Sequence, residues 1–283
     1  MDNFQLANIV ISCPDQPGIV KTVTTFLYEH GANISLLEEH VEDGHFFMRV
    51  EWEKGNNFKD EESFMEAFKK LRQDFGMTVK VDFNERKKRL VLFCSKELHC
   101  LVDILGRHAI QELEVEIPCV ISNSKEAAEL VNKFGIPFYC VESSKNSLAH
   151  EEEMLKILEN HPSDFIGLAR YMKVLSANFV EQVQQKIINV HHSFLPSFVG
   201  AKPYEEAYER GVKLIGASSH YVTPELDQGP IIDQDVKRIK HSHEISKLKL
   251  LGREIEKQVF SFAIKKHIEN KLIIYKNRTI VFE

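Results

Sequence analysis

Cysteine is scarce in this sequence, and no two cysteines have the spacing of a metal-binding or redox pair. The five cysteines are an odd number, and no Cys-x-x-Cys pair occurs, which argues against a disulfide framework and a zinc module. Most of them lie in apolar segments typical of strands, so we expect buried free thiols in a reducing cytoplasm. They are Cys13, Cys94, Cys100, Cys119 and Cys140.

Long apolar runs and an excess of basic charge are also missing. No run approaches the roughly 18 apolar residues of a membrane-spanning helix, and the N-terminus lacks the basic flank and apolar core of a signal peptide. The net charge of -6 favours neither nucleic acid nor an anionic membrane as partner. The 283 residues, 43% of them apolar, instead predict an ordinary globular protein of two domains in the cytoplasm.

The first 83 residues predict a ferredoxin-like βαββαβ domain. An apolar β-branched strand comes first, and a helix follows in which apolar residues recur at helical spacing until Gly31. We expect Asp15 to cap this helix and Asp43-Gly44 to form a hairpin turn. The predicted strands cover residues 8–13, 33–35, 46–50 and 77–83, and the second helix covers residues 61–75.

The turn and helix stop in this domain resemble the opening of an ACT domain, a regulatory module that often binds amino acids between paired copies. The resemblance lies in residues 15–20 and 31–34; an ordinary helix cap and helix stop are the alternative interpretation. The resemblance implies a regulatory site at Asp15, Gly18 and Asn33. It also implies an amino-acid effector such as glycine or methionine, and a homo-oligomer formed through this domain.

Residues 84–89 form a short charged run that we interpret as a solvated linker. Strands and helices alternate from residue 90 to residue 283, which predicts a parallel sheet with helices on both faces. A ligand crevice is then expected beyond the carboxyl ends of the strands. The predicted strands are residues 90–94, 116–122, 136–141, 165–169, 187–190, 214–222, 230–238, 272–275 and 279–282, and the helices lie around residues 98–105, 125–134, 151–158 and 244–268.

Three polar side chains stand out at the predicted crevice. Asn189 and His191 lie where a buried strand ends, and Asp227 lies in a Pro/Gly-rich loop after another apolar strand. An amide, an imidazole and a carboxylate together can stabilise an oxyanion and move protons, as acyl transfer requires. Each residue alone is common in turns, so the prediction depends on their combination.

Residues 189–196 and 226–230 resemble the formyltransferase domain shared by glycinamide ribonucleotide and methionyl-tRNA formyltransferases and by formyltetrahydrofolate deformylases. The resemblance covers residues 90–283 and implies an α/β, Rossmann-like fold with a mostly parallel sheet. It implies that Asn189, His191 and Asp227 are catalytic and that no cofactor or metal is needed. It places the folate pocket at Met172, Lys173, Val174, Leu175, Val222 and Thr223.

The first turn of the second domain bears on the acceptor of the formyl group. Nucleotide-binding members of the family carry a Gly-rich loop there, whereas residues 95–100 have no glycine and place Glu97 where a phosphate would lie. His192 stands where the nucleotide formyltransferases usually carry proline. The resemblance thus implies the deformylase branch, which hydrolyses 10-formyltetrahydrofolate to tetrahydrofolate and formate, supplies formate for purine synthesis and balances one-carbon folate pools.

Three alternatives remain at this point. The first is transfer of the formyl group to an amine such as glycinamide ribonucleotide, with Lys96 and His99 as an unfamiliar phosphate site. The second is a metal hydrolase, although the five candidate histidines form no His-Glu-x-x-His motif. The third is a catalytically silent amino-acid sensor, which formate release would exclude. The five histidines are His191, His192, His220, His241 and His243.

Overall fold

The chain divides into two compact units. The computed structural model describes residues 6–55, 60–142, 147–183, 186–197 and 203–283. The first unit runs through Lys87 and includes Val281–Glu283, and the second is Lys88–Ile280. The division therefore falls within the segment predicted as a linker, and the predicted role of each domain stays a prediction.

The first unit is the predicted ferredoxin-like domain. Its four described strands form one antiparallel sheet in the order β2-β3-β1-β4, so the βαββαβ prediction is confirmed. Alternate strand residues such as Ile9, Val50 and Trp52 pack against Phe64 and Phe68 of the second helix. The elements are β1 (Leu6–Pro14), α1 (Ile19–Glu29), β2 (Ala32–Glu42), β3 (His45–Lys54), α2 (Glu61–Asp74) and β4 (Thr78–Asp82).

The predicted helix cap at Asp15 is wrong. The N-cap residue, directly before α1, is Gly18, which has a φ of 96° and makes no side-chain cap hydrogen bond. Asp15 lies three residues earlier, outside the reach of the free N–H groups in the first turn. By contrast, α2 is capped by Asp60, whose carboxylate accepts a hydrogen bond of 2.7 Å from the backbone N–H of Ser63.

The second unit has the predicted α/β architecture, with a mostly parallel sheet. Among the described residues, seven strands follow the order β12-β11-β10-β9-β5-β7-β8, and β6 pairs separately with β5. The strands are β5 (Lys88–Cys94), β6 (Val115–Glu116), β7 (Val120–Ser122), β8 (Phe138–Cys140), β9 (Phe165–Ala169), β10 (Lys186–His191), β11 (Leu214–Tyr221), β12 (Ile231–Arg238), β13 (Leu272–Tyr275) and β14 (Arg278–Val281). Strand β11 joins β10 and β12 in antiparallel pairs.

Helices cover both faces of this sheet, as predicted. Leu90 and Leu92 of β5 pack into one apolar cluster, and Val91 and Phe93 pack into another on the opposite face. The helices are α3 (His99–Ala109), α4 (Ala128–Lys133), α5 (Ser147–Asn160), α6 (Ala177–Gln182), α7 (Pro203–Glu209) and α8 (Ile245–Ile268). No helix in the described ranges is both long and apolar enough to cross a membrane.

Two details of the second unit differ from the sequence prediction. The strand predicted over residues 116–122 is divided into β6 and β7, because Pro118 has no N–H for the ladder and restricts the residue before it. Helices α6 and α7 were not predicted, since each is too short for a clear apolar period. Helix α6 begins at Ser176, whose hydroxyl oxygen accepts a hydrogen bond of 3.1 Å from the backbone N–H of Phe179.

Helix α8 packs closely on Tyr204 of α7, and a glycine makes this contact fit. A Cβ atom at Gly252 would collide with the hydroxyl and ring of Tyr204, which is itself buried. We predict that Gly252→Ala destabilises the protein by about 1–3 kcal/mol, measured by urea denaturation. The matched control is Gly106→Ala in α3, where a Cβ would meet nothing within 4 Å; it should be neutral or stabilising by up to about 1 kcal/mol. Equal effects at both sites would contradict the packing argument.

Candidate active site

Strand β10 carries two of the predicted catalytic residues on the same face. Asn189 and His191 are two residues apart, so both side chains point to one side of the strand. Asn189 lies beside Leu168 on β9 and His220 on β11. The amide and the imidazole therefore meet near the carboxyl end of β10, where ligands bind in open α/β sheets.

The loop after β11 brings the third predicted residue to the same place. Asp227 has a φ of 55°, in the left-handed region that few residues other than glycine adopt. Its carboxylate lies between two imidazoles, 3.4 Å from His191 Nδ1 and 3.6 Å from His220 Nε2. All three predicted catalytic side chains are therefore in one cluster, and their catalytic roles stay a prediction.

His220 links the amide to the carboxylate. Its Nδ1 donates a hydrogen bond of 2.9 Å to the carbonyl of Tyr221, because a carbonyl oxygen can only accept. In the neutral ring, Nε2 is then the acceptor, and it lies 3.1 Å from the amide nitrogen of Asn189. One amide hydrogen is thus used to hold Asn189 in place, and the second remains available to a substrate.

Charge in the cluster is controlled by hydrogen bonding and burial. The hydrogen bond from His191 holds the pKa of Asp227 well below its usual range, so its carboxylate is an anion at neutral pH. Burial, followed by the nearby Arg170 and His191, lowers the pKa of His192 from 6.5 to about 4. His192 is therefore a neutral imidazole at pH 7.

The cluster lies in the wall of a cavity of about 270 Å³. All nine residues predicted for catalysis and folate binding line this one cavity: Met172, Lys173, Val174, Leu175, Asn189, His191, Val222, Thr223 and Asp227. Apolar side chains that are unusually exposed lie around it, with Val174 at 70% and Leu226 at 59% of full exposure. An apolar cleft with a few convergent polar groups is typical of a site for a flat heteroaromatic ligand.

The predicted regulatory residues lie in the first unit. Gly18 and Asn33 are exposed, as is Asp15. The backbone N–H of Asp15 already donates a hydrogen bond of 2.9 Å to the carbonyl of Gly44. Gly18, the N-cap of α1, forms the turn on which the predicted carboxylate site depends.

Comparison with known proteins agrees with this architecture. Residues 88–264 match the family model of formyl transferases, and residues 7–73 match that of ACT domains. A formyltetrahydrofolate deformylase from Bacillus subtilis is 45% identical over 99% of this chain and 95% of its own length. The chain belongs to the formyltetrahydrofolate deformylase family.

Solved structures separate this family from its relatives. The crystal structure of a formyltetrahydrofolate deformylase from Pseudomonas syringae superposes with a TM-score of 0.95 at 40% identity, covering 100% of this chain and 96% of that one. A phosphoribosylglycinamide formyltransferase from Anaplasma phagocytophilum has a TM-score of 0.64 at 28% identity and covers 70% of this chain and 96% of its own. The deformylase resemblance therefore takes in both units.

Two residues of this deformylase-family site were missed from the sequence. His220 was considered only as a possible metal ligand. The feature that could have identified it as a site residue is its position among polar residues in a strand that is otherwise apolar. Arg170 follows β9, lines the cavity and has a φ of 60°. Its guanidinium Nε lies 3.2 Å from the buried carboxylate of Glu256.

Glu256 is the centre of a buried polar cluster behind the cavity. It accepts hydrogen bonds of 2.7 Å from His99 Nε2 and 2.5 Å from the Tyr204 hydroxyl. In the described part of the chain, His99, Cys100 and Glu256 bring possible metal ligands within 4.8 Å of one another. The carboxylate is already engaged by two donors and the Arg170 cation, so this cluster fits a structural ion pair better than a metal centre.

The low pKa of His192 predicts acid-sensitive stability. The ring is protonated near pH 6.5 when the chain is unfolded but only near pH 4 when it is folded. As the pH falls through this window, the unfolded state binds the extra proton and stability is lost, by on the order of 2–3 kcal/mol. We expect urea denaturation of the wild type, compared with His192→Gln, to show this difference between pH 7 and pH 4.5.

The comparison isolates His192 from the other titrating groups. The Asp227 carboxylate stays ionised in the folded state throughout this window, because its pKa there is held below the usual range, and its titration in the unfolded state is the same in both proteins. Parallel stability curves for the two proteins would show that His192 titrates normally in the folded state.

Proposed function

We propose that this protein hydrolyses 10-formyltetrahydrofolate to tetrahydrofolate and formate. The observation that supports the proposal most directly is that Asn189, His191 and Asp227 meet in the wall of an apolar cavity in a chain of the deformylase family. The formate released would serve purine synthesis, and the reaction would balance one-carbon folate pools.

The cavity wall offers contacts for two parts of this substrate, the pterin ring and the formyl group on N10. The pterin ring would lie against the apolar side chains of Val174, Leu175 and Val222, with main-chain groups at its edge. The formyl group would then lie next to Asn189 and His191. Tyr171, which is buried at the cavity wall and hydrogen bonded to His150 at 2.8 Å, would keep this part of the slot rigid.

Each polar group has a distinct role in the proposed reaction. The second amide hydrogen of Asn189 is donated to the formyl oxygen as it becomes an oxyanion, a contribution of about 10²–10³ in rate. His191 accepts a proton from the attacking water and returns it to N10, worth roughly 10²–10⁴. Asp227 orients His191 through Nδ1 and stabilises the imidazolium, a role that its low pKa suits better than removing a proton from water.

Water is favoured over an amine as acceptor by the contacts around the first turn of the second unit. Glu97 pairs with Arg253 at 2.7 Å, and His99 donates to Glu256. Lys96 lies 3.5 Å from Glu126. The cations of this region therefore face carboxylates of the protein itself, which disfavours a phosphate ester there. Transfer to glycinamide ribonucleotide is the less favoured alternative.

We further propose that the first unit regulates the enzyme. The ACT family match and the exposed turn at Gly18 support an amino-acid effector such as glycine or methionine, bound between copies of a homo-oligomer. The reaction is a hydrolysis and uses no cofactor in this scheme. The five cysteines are free thiols, which suits a protein of the reducing cytoplasm.

The catalytic assignment predicts large losses of turnover without loss of binding. Asn189→Ala, His191→Ala and Asp227→Asn should each lower the rate of formate release by about 10²–10⁴-fold. The affinity for tetrahydrofolate should stay within about tenfold, because the apolar wall is unchanged. The rates are measured as formate release from 10-formyltetrahydrofolate. Near-normal turnover in Asp227→Asn would show that the carboxylate does not support the imidazole.

The acceptor is tested in the same assay. Reaction in ¹⁸O-labelled water should place label in the formate. Added glycinamide ribonucleotide should be neither consumed nor able to accelerate the release of tetrahydrofolate. Formylated nucleotide among the products would overturn the deformylase proposal in favour of the transfer reaction.

The regulatory proposal predicts that an amino acid changes turnover in the full-length protein. The twenty amino acids are titrated by calorimetry and by formate release, with glycine and methionine expected to act. Asn33→Ala should weaken binding of the effector and leave the basal rate unchanged. The control is Asn160→Ala, an exposed asparagine whose amide bonds to Lys156 O in α5. If no amino acid binds, the first unit is an assembly element.

A further inference from the structure

Two neighbouring imidazoles in the cavity wall each have a nitrogen without a partner in the described part of the protein. His191 and His192 both line it and are 7% and 6% exposed. Within the described ranges, the Nε2 atoms of both rings are buried and make no hydrogen bond to the protein. Buried polar atoms are nearly always paired in native proteins. These two atoms are therefore available to polar atoms of the reactants.

Both nitrogens can act as hydrogen-bond acceptors. His191 presents Nδ1 to the Asp227 carboxylate, which places its proton on Nδ1 and leaves a lone pair on Nε2. His192 is buried beside the Arg170 cation and is neutral at pH 7. The centroids of the two rings are 5.1 Å apart, with an angle of 35° between the ring planes. The two rings are therefore close neighbours in the cavity wall.

The other polar groups of the cluster are already committed. Asn189 holds His220 with one amide hydrogen and keeps the other for the oxyanion. The two oxygens of Asp227 face His191 and His220. Among the described residues of this cluster, His192 has a buried nitrogen for which neither the scaffold nor the proposed reaction has yet supplied a partner.

We propose that His192 is a catalytic residue that orients the attacking water. Its Nε2 accepts one hydrogen of the water and His191 Nε2 accepts the other, so that a lone pair of the water oxygen faces the formyl carbon. This inference rests on the proposed hydrolysis and specifies how its second substrate is bound.

The reaction balances with this arrangement. The water oxygen forms a bond to the formyl carbon while one water proton passes to His191 Nε2, and the carbonyl electrons move to the oxygen bound by Asn189. The tetrahedral intermediate then collapses and the bond from carbon to N10 breaks. N10 takes the proton from His191, and the product leaves with tetrahydrofolate as formic acid, which loses its remaining proton to the solvent to give formate. His192 gains and loses no proton; its contribution is the direction of attack.

The test compares two substitutions of His192 in the full-length enzyme. His192→Phe keeps a flat ring and removes the acceptor, and we expect it to lower kcat by about 10²-fold while KM and the affinity for tetrahydrofolate change by less than about threefold. His192→Gln places a carbonyl oxygen near the position of Nε2 and should recover about tenfold of that loss. The control is His108→Phe in α3, which also removes a ring with an unpartnered nitrogen but lies outside the cavity lining; its kcat should be unchanged.

A reaction with hydroxylamine shows whether His192 orients the water or only packs in the cavity wall. It attacks the formyl group as a stronger nucleophile that depends less on being oriented, and formohydroxamate is the product. The ratio of formohydroxamate to formate should rise about tenfold or more in His192→Phe relative to wild type. If both products fall equally, or if the Phe and Gln variants lose the same activity, His192 only packs in the wall and the inference is wrong. A wild-type enzyme that releases no formate would instead overturn the proposed function.

Discussion

The site depends on the contacts that the carboxylate of Asp227 makes. It lies between His191 and His220, and through His220 it reaches the amide of Asn189. Three residues from two strands are thereby held in place around a single anion on the loop that follows β11. Because the hydrogen bond from His191 also stabilises that anion, the contacts that order the cluster also fix its charge.

A second buried carboxylate has a comparable role behind the cavity. Glu256 of α8 joins His99 at the start of α3, Tyr204 of α7 and Arg170 at the end of β9. Its contacts hold four elements together at the edge of the sheet that carries the cavity. The Arg170 cation held there also contributes to keeping His192 neutral. The same network therefore holds the elements around the site in place and contributes to the low pKa of His192.

The sequence was informative where local pattern and chemistry coincide. The positions of Asn189 and His191 at the end of a buried strand, and of Asp227 in a Pro/Gly loop, predicted a cluster that the fold brings together. His220 could not be assigned in this way, because its role depends on pairing with Asn189 across two strands. The Asp15 cap failed for the opposite reason, since a locally favourable residue lies three positions before the turn that begins the helix.

The pairing of Asn189 with His220 has a consequence for how the protein acquires activity during folding. The two residues are separated by 31 positions and face each other only when β10 and β11 have paired in the correct register. A slip of one residue would turn the alternate side chains to the other face of the sheet. Such nonlocal pairing is a late and slow event in folding. The appearance of enzymatic activity during folding therefore reports that β10 and β11 have paired, and it should follow the formation of secondary structure.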